Sequence, residues 1–363
     1  MHTLDRMLFL AFLRSYAIVL TSLLSLYVVI DLFTNLDDFA GRGSYGGMVR
    51  HLIRYYGPQI ALIFDRLCES IALLAAVFTM AWAQRNNELL PQLSAGISTH
   101  RIIRPVLVGT MFVLALGPLN QELLIPKLSD ELQVPRDDPN QERAIELQGA
   151  YDSTGLHIEG TSGYRKDLRV NKLFVNFAEN ANAAITDIQA EEAVYSPATH
   201  DRQAGWTLFN TKPEVVPDPL PQNLTPIGPR KYFLTTREVD FDALTRGSKW
   251  YSYASTTKLK HILSRPDPRR MAPVAVLFHM RYTRPLVGFL MVVVGLTIIL
   301  RDHNRHVLVS AGTCLIMSAI FYAAVYGCKY LGENDLLSAP LSAWLPAILF
   351  GGYALASYDA IQT

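Results

Sequence analysis

Long apolar runs crowd both ends of the chain and are missing from residues 126–271. A helix needs about 20 apolar residues to cross ~30 Å of hydrocarbon, and inside a bilayer every backbone polar group must find its partner within the segment. The two ends are therefore restricted to helices, and other architecture is open only to the stretch between them. The candidate spans are residues 16–33, 58–83, 105–125, 285–300, 307–327 and 340–358. A short apolar stretch, 4–13, lies between Arg6 and Arg14 and reads as an interfacial helix leading into the first span. Asp37, Asp38, Gly41, Gly43, Gly46 and Gly47 then argue for a polar loop before the second. That second span is the weakest, because it carries Asp65, Arg66 and Glu69 in its first half.

Half of the residues are hydrophobic, 18% are charged and the formal charge is only +1, a balance that fits a membrane protein better than a soluble chain of 363 residues. Cys68, Cys314 and Cys328 lie in or beside apolar runs and read as small buried side chains, not as a disulfide framework or metal cluster. The first run is long, follows Arg14 and is not succeeded by a small-residue cleavage site, so it is expected to remain in the membrane.

Between the two helical ends the periodicity changes from 3.6 to 2. Residues 155–159, 172–177, 184–188, 205–209 and 232–235 alternate apolar and polar, the pattern of antiparallel strands with one buried face. Pro213, Pro217, Pro219, Pro221, Pro226 and Pro229 mark a long connection or an edge, since proline cannot donate to a sheet ladder. The expected architecture is three transmembrane helices (1–125), an inserted all-β domain of sandwich or jelly-roll type (126–271), and three more transmembrane helices (272–363). An even number of spans places both termini on one side and the insert on the other.

The loop between the second and third spans carries Leu89, Leu93 and Ile97 at every fourth position, which draws one apolar stripe on a short helix, about residues 86–98. Pro91 suits a first helical turn, and the small residues Ser94, Ala95 and Gly96 would allow another surface to approach the backbone. Two readings fit: a docking helix for a soluble partner, or an amphipathic turn resting on lipid headgroups. Glu88 stands alone as an acid in a loop with Arg85, Arg101 and Arg104, so it either pairs within the loop or accepts a bidentate arginine from a partner.

Chemistry-bearing motifs are lacking in the sequence. There is no phosphate-binding glycine loop, no His-Glu-x-x-His zinc pair and no Gly-x-Ser-x-Gly nucleophile elbow. His303 and His306 are three apart but have no third ligand nearby. Neither enzymatic activity nor a bound cofactor, metal or nucleic acid is expected. Asp65, Arg66 and Glu69 share one helical face and can neutralise one another; ionisable groups within a span otherwise mark function. Basic residues flank the spans on both sides, so positive charge alone does not orient the chain. Termini in the cytoplasm would leave Arg42, Arg50, Arg54, Lys127, Arg269, Arg270, Arg281, Arg284 and Lys329 outside.

The order of these features resembles the LptF/LptG (YjgP/YjgQ) permeases of the lipopolysaccharide exporter. Leu4-Asp5-Arg6 with Asp31 and Leu36-Asp37-Asp38-Phe39 looks like that family's opening, and Asn87-Glu88-Leu89 with Ser94-Ala95-Gly96-Ile97-Ser98 like its cytoplasmic signature. Phe278-His279-Met280-Arg281 with Pro285-Leu286 is similar to the entry of its fourth span, and Ser342-Ala343-Trp344-Leu345-Pro346 to the start of its last. Gln189-Ala190-Glu191-Glu192-Ala193 and Trp206-Thr207-Leu208 echo its β domain. The resemblance implies an inner-membrane permease paired with a second such subunit and bound to a cytoplasmic ATPase dimer of the LptB kind, which consumes the ATP. It also implies a periplasmic jelly roll that hands lipopolysaccharide to LptC-like and LptA-like folds. Glu88, Leu89, Leu93, Gly96 and Ile97 would then couple to the ATPase. The anionic headgroup is expected at Arg42, Arg50, Arg54, Arg66, Arg281 and Arg284, and acyl chains along Phe174, Phe177, Ile188 and Leu208. Two other classes stay open to the residues alone: a membrane-anchored scaffold or sensor, and a secondary lipid transporter, for which the spans offer only Asp65 and Glu69 as coupling acids.

Overall fold

The computed structural model describes residues 3–37, 45–132, 142–152, 155–177, 187–198, 203–216, 219–236, 239–245, 250–264, 271–301 and 307–359. The chain forms two compact units, one of residues 1–132, 253–264 and 270–363, the other of 133–252 and 265–269.

The first unit is a helical bundle. Helix α1 (Thr3–Thr34) is continuous, so the expected break between an interfacial helix and a span does not occur. Leu8, Phe12 and Tyr16, one per helical turn, are buried on one face while Arg6 and Arg14 stay exposed, and the helix therefore passes both arginines without burying a charge. Helix α2 (Tyr45–Arg85) also begins earlier than expected, since its backbone is helical through Gly46 and Gly47. It packs against α1, α4, α8 and α9, and Ile71, Ala72, Leu73, Ala75, Ala76, Val77 and Met80 are all enclosed. A helix apolar on every face belongs inside a bundle. After a six-residue helix α3 (Leu89–Ser94) comes α4 (Thr99–Leu119), prolonged by a π turn over Asn120–Leu124, and a short α5 (Ser129–Leu132). The bundle is completed by α7 (Thr256–Leu263), α8 (Ala272–Arg301), α9 (Val307–Glu333) and α10 (Ala339–Asp359). Among the described residues five helices, all but α2 of the six long ones, are long and apolar enough to cross a membrane.

The second unit is an antiparallel sheet of eight strands: β1 (Ile145–Glu146), β2 (Ala150–Tyr151), β3 (His157–Tyr164), β4 (Arg169–Asn176), β5 (Asp187–Ser196), β6 (Gly205–Lys212), β7 (Leu224–Gly228) and β8 (Lys231–Thr235). Their order is β1-β3-β4-β5-β6-β8-β7, with β2 also on β3. Neighbours are mostly consecutive, and no Greek-key crossover occurs among the described strands. Pro226 lies on the edge strand β7, beside a bulge, where no ladder donor is required.

Strict alternation fails at one row that crosses the sheet. The flanking pairs place Thr161 opposite Lys172, Lys172 opposite Glu191, Glu191 opposite Asn210, and Asn210 opposite Arg230. Lys172, Asn210 and Arg230 all have positive φ, 50°, 51° and 54°. Each strand leaves two successive residues outside the core there, so its buried positions jump by three, as in Gly160 to Gly163, Val170 to Leu173, Ala190 to Ala193 and Leu208 to Thr211. Both halves of every strand thus feed one core, closed by Trp206, which donates to the Val239 carbonyl at 2.9 Å, and by Phe241 and Leu244 of α6 (Phe241–Thr245). Tyr195 packs on Trp206 with ring centroids 5.2 Å apart. Burial, and then the carboxylates of Asp240 and Asp242, raise the Tyr195 pKa and keep the phenol protonated.

Candidate functional site

The α2–α4 loop is built to hold a short helix at a fixed angle. Asn87 turns the chain at φ 55°, a conformation asparagine tolerates, and the Glu88 amide donates back to Ala83 at 2.9 Å. Helix α3 ends in a Schellman motif: the Gly96 amide bonds the Leu93 carbonyl at 3.0 Å and the Ile97 amide bonds Gln92 at 3.1 Å. Gly96 has φ 77° and open space around its Cα. Its role within the chain is therefore this left-handed stop, and among the described residues no neighbour presses on it. The predicted apolar stripe is divided. Leu89 is 8% exposed and Ile97 packs against the same bundle core, whereas Leu93 is 43% exposed and, with the adjacent Leu90, faces outward. Glu88 is exposed, its side chain caps nothing, and it forms no ion pair among the described residues. Trp82, beneath the Arg85 guanidinium at 5.9 Å, adds a large exposed ring at the end of α2. The helix ends that flank the loop are tied to the bundle: Gln84 near the end of α2 donates to the Ile299 carbonyl on α8 at 3.4 Å, and the His100 ring in the first turn of α4 lies 4.6 Å from Tyr358 on α10.

A second assembly lies deep in the bundle. Asp65 and Glu69 are both about 94% buried and both bind Arg284 of α8: Nη1 to Asp65 Oδ2 at 2.8 Å, Nε to Glu69 Oε1 at 2.5 Å and Nη2 to Glu69 Oε2 at 3.2 Å, with a further bond to the Asp65 carbonyl. Gly288, one turn on, makes this possible, since a Cβ there would come within 2.7 Å of Glu69 Cγ. Arg281 reaches the Ala254 carbonyl at 2.6 Å, Thr256 Oγ1 at 3.0 Å and Glu122 at 3.9 Å, and Glu122 in turn accepts from the Thr256 amide. The neutralisation expected among Asp65, Arg66 and Glu69 is thus carried by Arg284, and Arg66 is exposed. Helical proximity favours a local pair, but a buried bidentate geometry across two helices is stronger than an exposed one along one helix.

Two cavities share the wall formed by Glu69, Gln121, Arg281 and Arg284. The first, about 180 Å³, adds Arg66, Lys329, Tyr322 and Tyr326 above an apolar floor that includes Leu277, Met291 and Pro346. The second, about 310 Å³, adds Asp65, Cys68, Glu122, Thr256 and Tyr282. Of the predicted headgroup residues, Arg66, Arg281 and Arg284 are brought together at the first cavity. Arg50 and Arg54 are exposed farther along α2, and Arg42 lies outside the described residues, as do His303 and His306.

The four predicted acyl-chain residues do not share one face. Phe177, Ile188 and Leu208 are enclosed in the sheet core, whereas Phe174 points away from it. Residues 174 and 177 are three apart, an odd number, so a two-residue period already separates them. Sequence reasoning missed Lys329 and the Arg284 pairing. The local surplus of two acids over one base at residues 65–69, with Arg281 and Arg284 on another helix, was the available signal.

A family model described as lipopolysaccharide export system permease LptF/LptG matches residues 6–359, nearly the whole chain. The comparison with curated proteins gives no match.

Proposed function

Because the chain belongs to the LptF/LptG family of lipopolysaccharide export permeases, a family of transporter components and not of enzymes, we propose that it is the membrane subunit of an ATP-driven extractor with no chemistry of its own. It spans the inner membrane six times, α2 being the sixth span, with both termini in the cytoplasm and the β insert (126–271) in the periplasm between helical parts 1–125 and 272–363. A second permease of the same family completes the path, and a cytoplasmic ATPase dimer supplies the work. The insert passes lipopolysaccharide to a periplasmic bridge of similar sheets.

The observation that carries this reading is the divided stripe of α3. Leu89 and Ile97 root the helix in the bundle, and Glu88, Leu90 and Leu93 remain outside, left exposed among the described residues. The helices on either side of α3 are tethered, α2 to α8 through Gln84 and α4 to α10 through His100, so force applied to α3 passes through its neighbours into the bundle. Arg66 and Lys329 meet the lipid phosphates at the first cavity, while Arg281 and Arg284 stand behind them, already engaged by acids. Arg42, Arg50 and Arg54 add attraction at the headgroup level, about 1 kcal/mol each near the surface. Their work on an anionic lipid accounts for bases on the outer side. Phe177, Ile188 and Leu208 line the interior along which acyl chains run once the sheet opens, and Phe174 is outside that path.

Affinity purification in mild detergent tests the proposal. The wild-type chain should bring down a nucleotide-binding subunit, and Leu93→Asp should lose it while the bundle stays folded. A Leu93→Asp protein that keeps the subunit and full transport would refute it.

A further inference from the structure

We propose that α7 is a hinged strap over the second cavity and that Glu122 and Arg281 are its latch. The chain passes from the sheet unit into the bundle at residue 253, and the residues it brings in first are the ones held. Arg281 donates to the Ala254 carbonyl at 2.6 Å and to Thr256 Oγ1 at 3.0 Å, while the Thr256 amide donates to the two Glu122 oxygens at 3.0 and 2.8 Å. Arg281 and Glu122 lie 3.9 Å apart, so one ion pair grips the start of α7 from α8 and from the end of α4. The Thr256 amide is one of the donors that a helix start leaves without an intrahelical acceptor, and a carboxylate placed there also meets the positive end of the helix. Glu122 sits in the middle of the π turn, in which the Ile125 amide bonds the Asn120 carbonyl at 3.0 Å. Asn120 is 5% exposed and donates to the Ala61 carbonyl of α2 at 2.9 Å. Turns of this kind recur at functional sites, and this one is fixed to α2 on one side and holds α7 on the other.

Little else anchors the strap. Leu259 is the one enclosed side chain of α7, and Thr257, Lys258, Lys260 and His261 are exposed. Segments with few enclosed apolar contacts are the first to open in a folded protein. Behind the latch lies the cavity of about 310 Å³, whose wall includes Glu122, Thr256 and Arg281 and also Cys68. Release of Glu122 therefore opens the cavity while the core shared by α2, α4 and α8 stays closed. Ala254 and Thr256 are among the first bundle residues after the insert, so tension carried along the chain from the insert falls on the latch early. The device goes beyond the transport reading and holds whatever the cargo is.

The test uses the full chain with its co-purifying subunits in mild detergent and follows two native thiols in the same sample by mass spectrometry during reaction with methyl methanethiosulfonate. Cys68 lines the cavity and is 2% exposed; Cys314 of α9 is 3% exposed and is not part of that wall. Thr256→Pro removes the latched amide and hydroxyl together, and the backbone admits it. Position 256 opens the helix, where proline is tolerated, and Ser255 at φ −70°, ψ 159° already has the conformation that a following proline requires. Thr256→Pro and Glu122→Ala should each speed Cys68 labelling about tenfold and leave Cys314 unchanged. That factor is the ~1.4 kcal/mol of one bond to a carboxylate that is 38% exposed. The double variant should be no faster than either single one, since both open the same latch. Hydrogen exchange over residues 253–264 should rise in parallel. Equal acceleration of both thiols, which means general loosening, overturns the proposal, as does a double variant whose effects multiply. So does a Cys68 rate in Thr256→Pro within a factor of two of wild type, and that variant decides even if Glu122→Ala does not fold.

Discussion

Arg284→Gln is the substitution with the most calculable consequence for the bundle. It removes the only cation hydrogen-bonded to Asp65 and Glu69 among the described residues and leaves two carboxylates, each about 94% buried, side by side. Breaking a buried pair from one side costs ~3–5 kcal/mol. A third of the Arg284 side chain is exposed, which places the loss at the lower end, about 3 kcal/mol, or two orders of magnitude in the population of opened bundle. Cys68 reports that population directly, since it is 2% exposed and neighbours Glu69. Its labelling by a thiol reagent in detergent, in a chain whose other two cysteines are replaced by alanine, should accelerate about 100-fold. Asp65→Asn, which leaves one carboxylate for one arginine, should change the rate less than tenfold. A rate for Arg284→Gln within a factor of three of wild type would refute the claim that this arginine holds α2 and α8 together.

Other substitutions probe separate links of the account. Gly96→Ala should lower stability by only ~1–2 kcal/mol, the cost of a left-handed non-glycine residue, and leave ATPase binding intact; loss of binding at unchanged melting temperature would show instead that a partner presses on Gly96. Trp206→Ala should destabilise the β insert by ~3–5 kcal/mol, read by near-ultraviolet circular dichroism during thermal unfolding, because the ring is enclosed and its donor is used. Arg66→Ala and Lys329→Ala should each weaken retention of an anionic lipid by about fivefold at low salt, the equivalent of ~1 kcal/mol, with the difference fading above 0.5 M salt.

The helices and the insert were legible because their signals are local. A run of apolar residues announces a membrane helix wherever it packs, and alternation announced β3, β4, β6 and β8, whereas the expected strand at 184–188 meets β5 only at its first two residues, 184–186 lying outside the described residues. The short strands β1 and β2, two residues each, are set by pairing with β3 and have no periodicity to read. The positive-φ row at Lys172, Asn210 and Arg230 was invisible for a related reason: it is a property of four strands in register, and no single strand carries it. In the α3 loop the stripe was visible but its division was not, since whether Leu89 or Leu93 turns inward depends on the angle set by Asn87 and Gly96. Likewise the sequence placed Asp65, Arg66 and Glu69 on one face, but the identity of their partner depended on α8, more than 200 residues away.

The central claim is that α3 is a lever gripped by a cytoplasmic ATPase, and residue 93 reports on that grip. Leu93→Cys, in a chain whose native cysteines are buried, should react rapidly with a membrane-impermeant maleimide in inverted vesicles when the chain is expressed without the ATPase subunit. With that subunit present the same thiol should be protected at least tenfold. Equal reactivity in the two preparations, or reactivity only from the periplasmic side, would contradict the account.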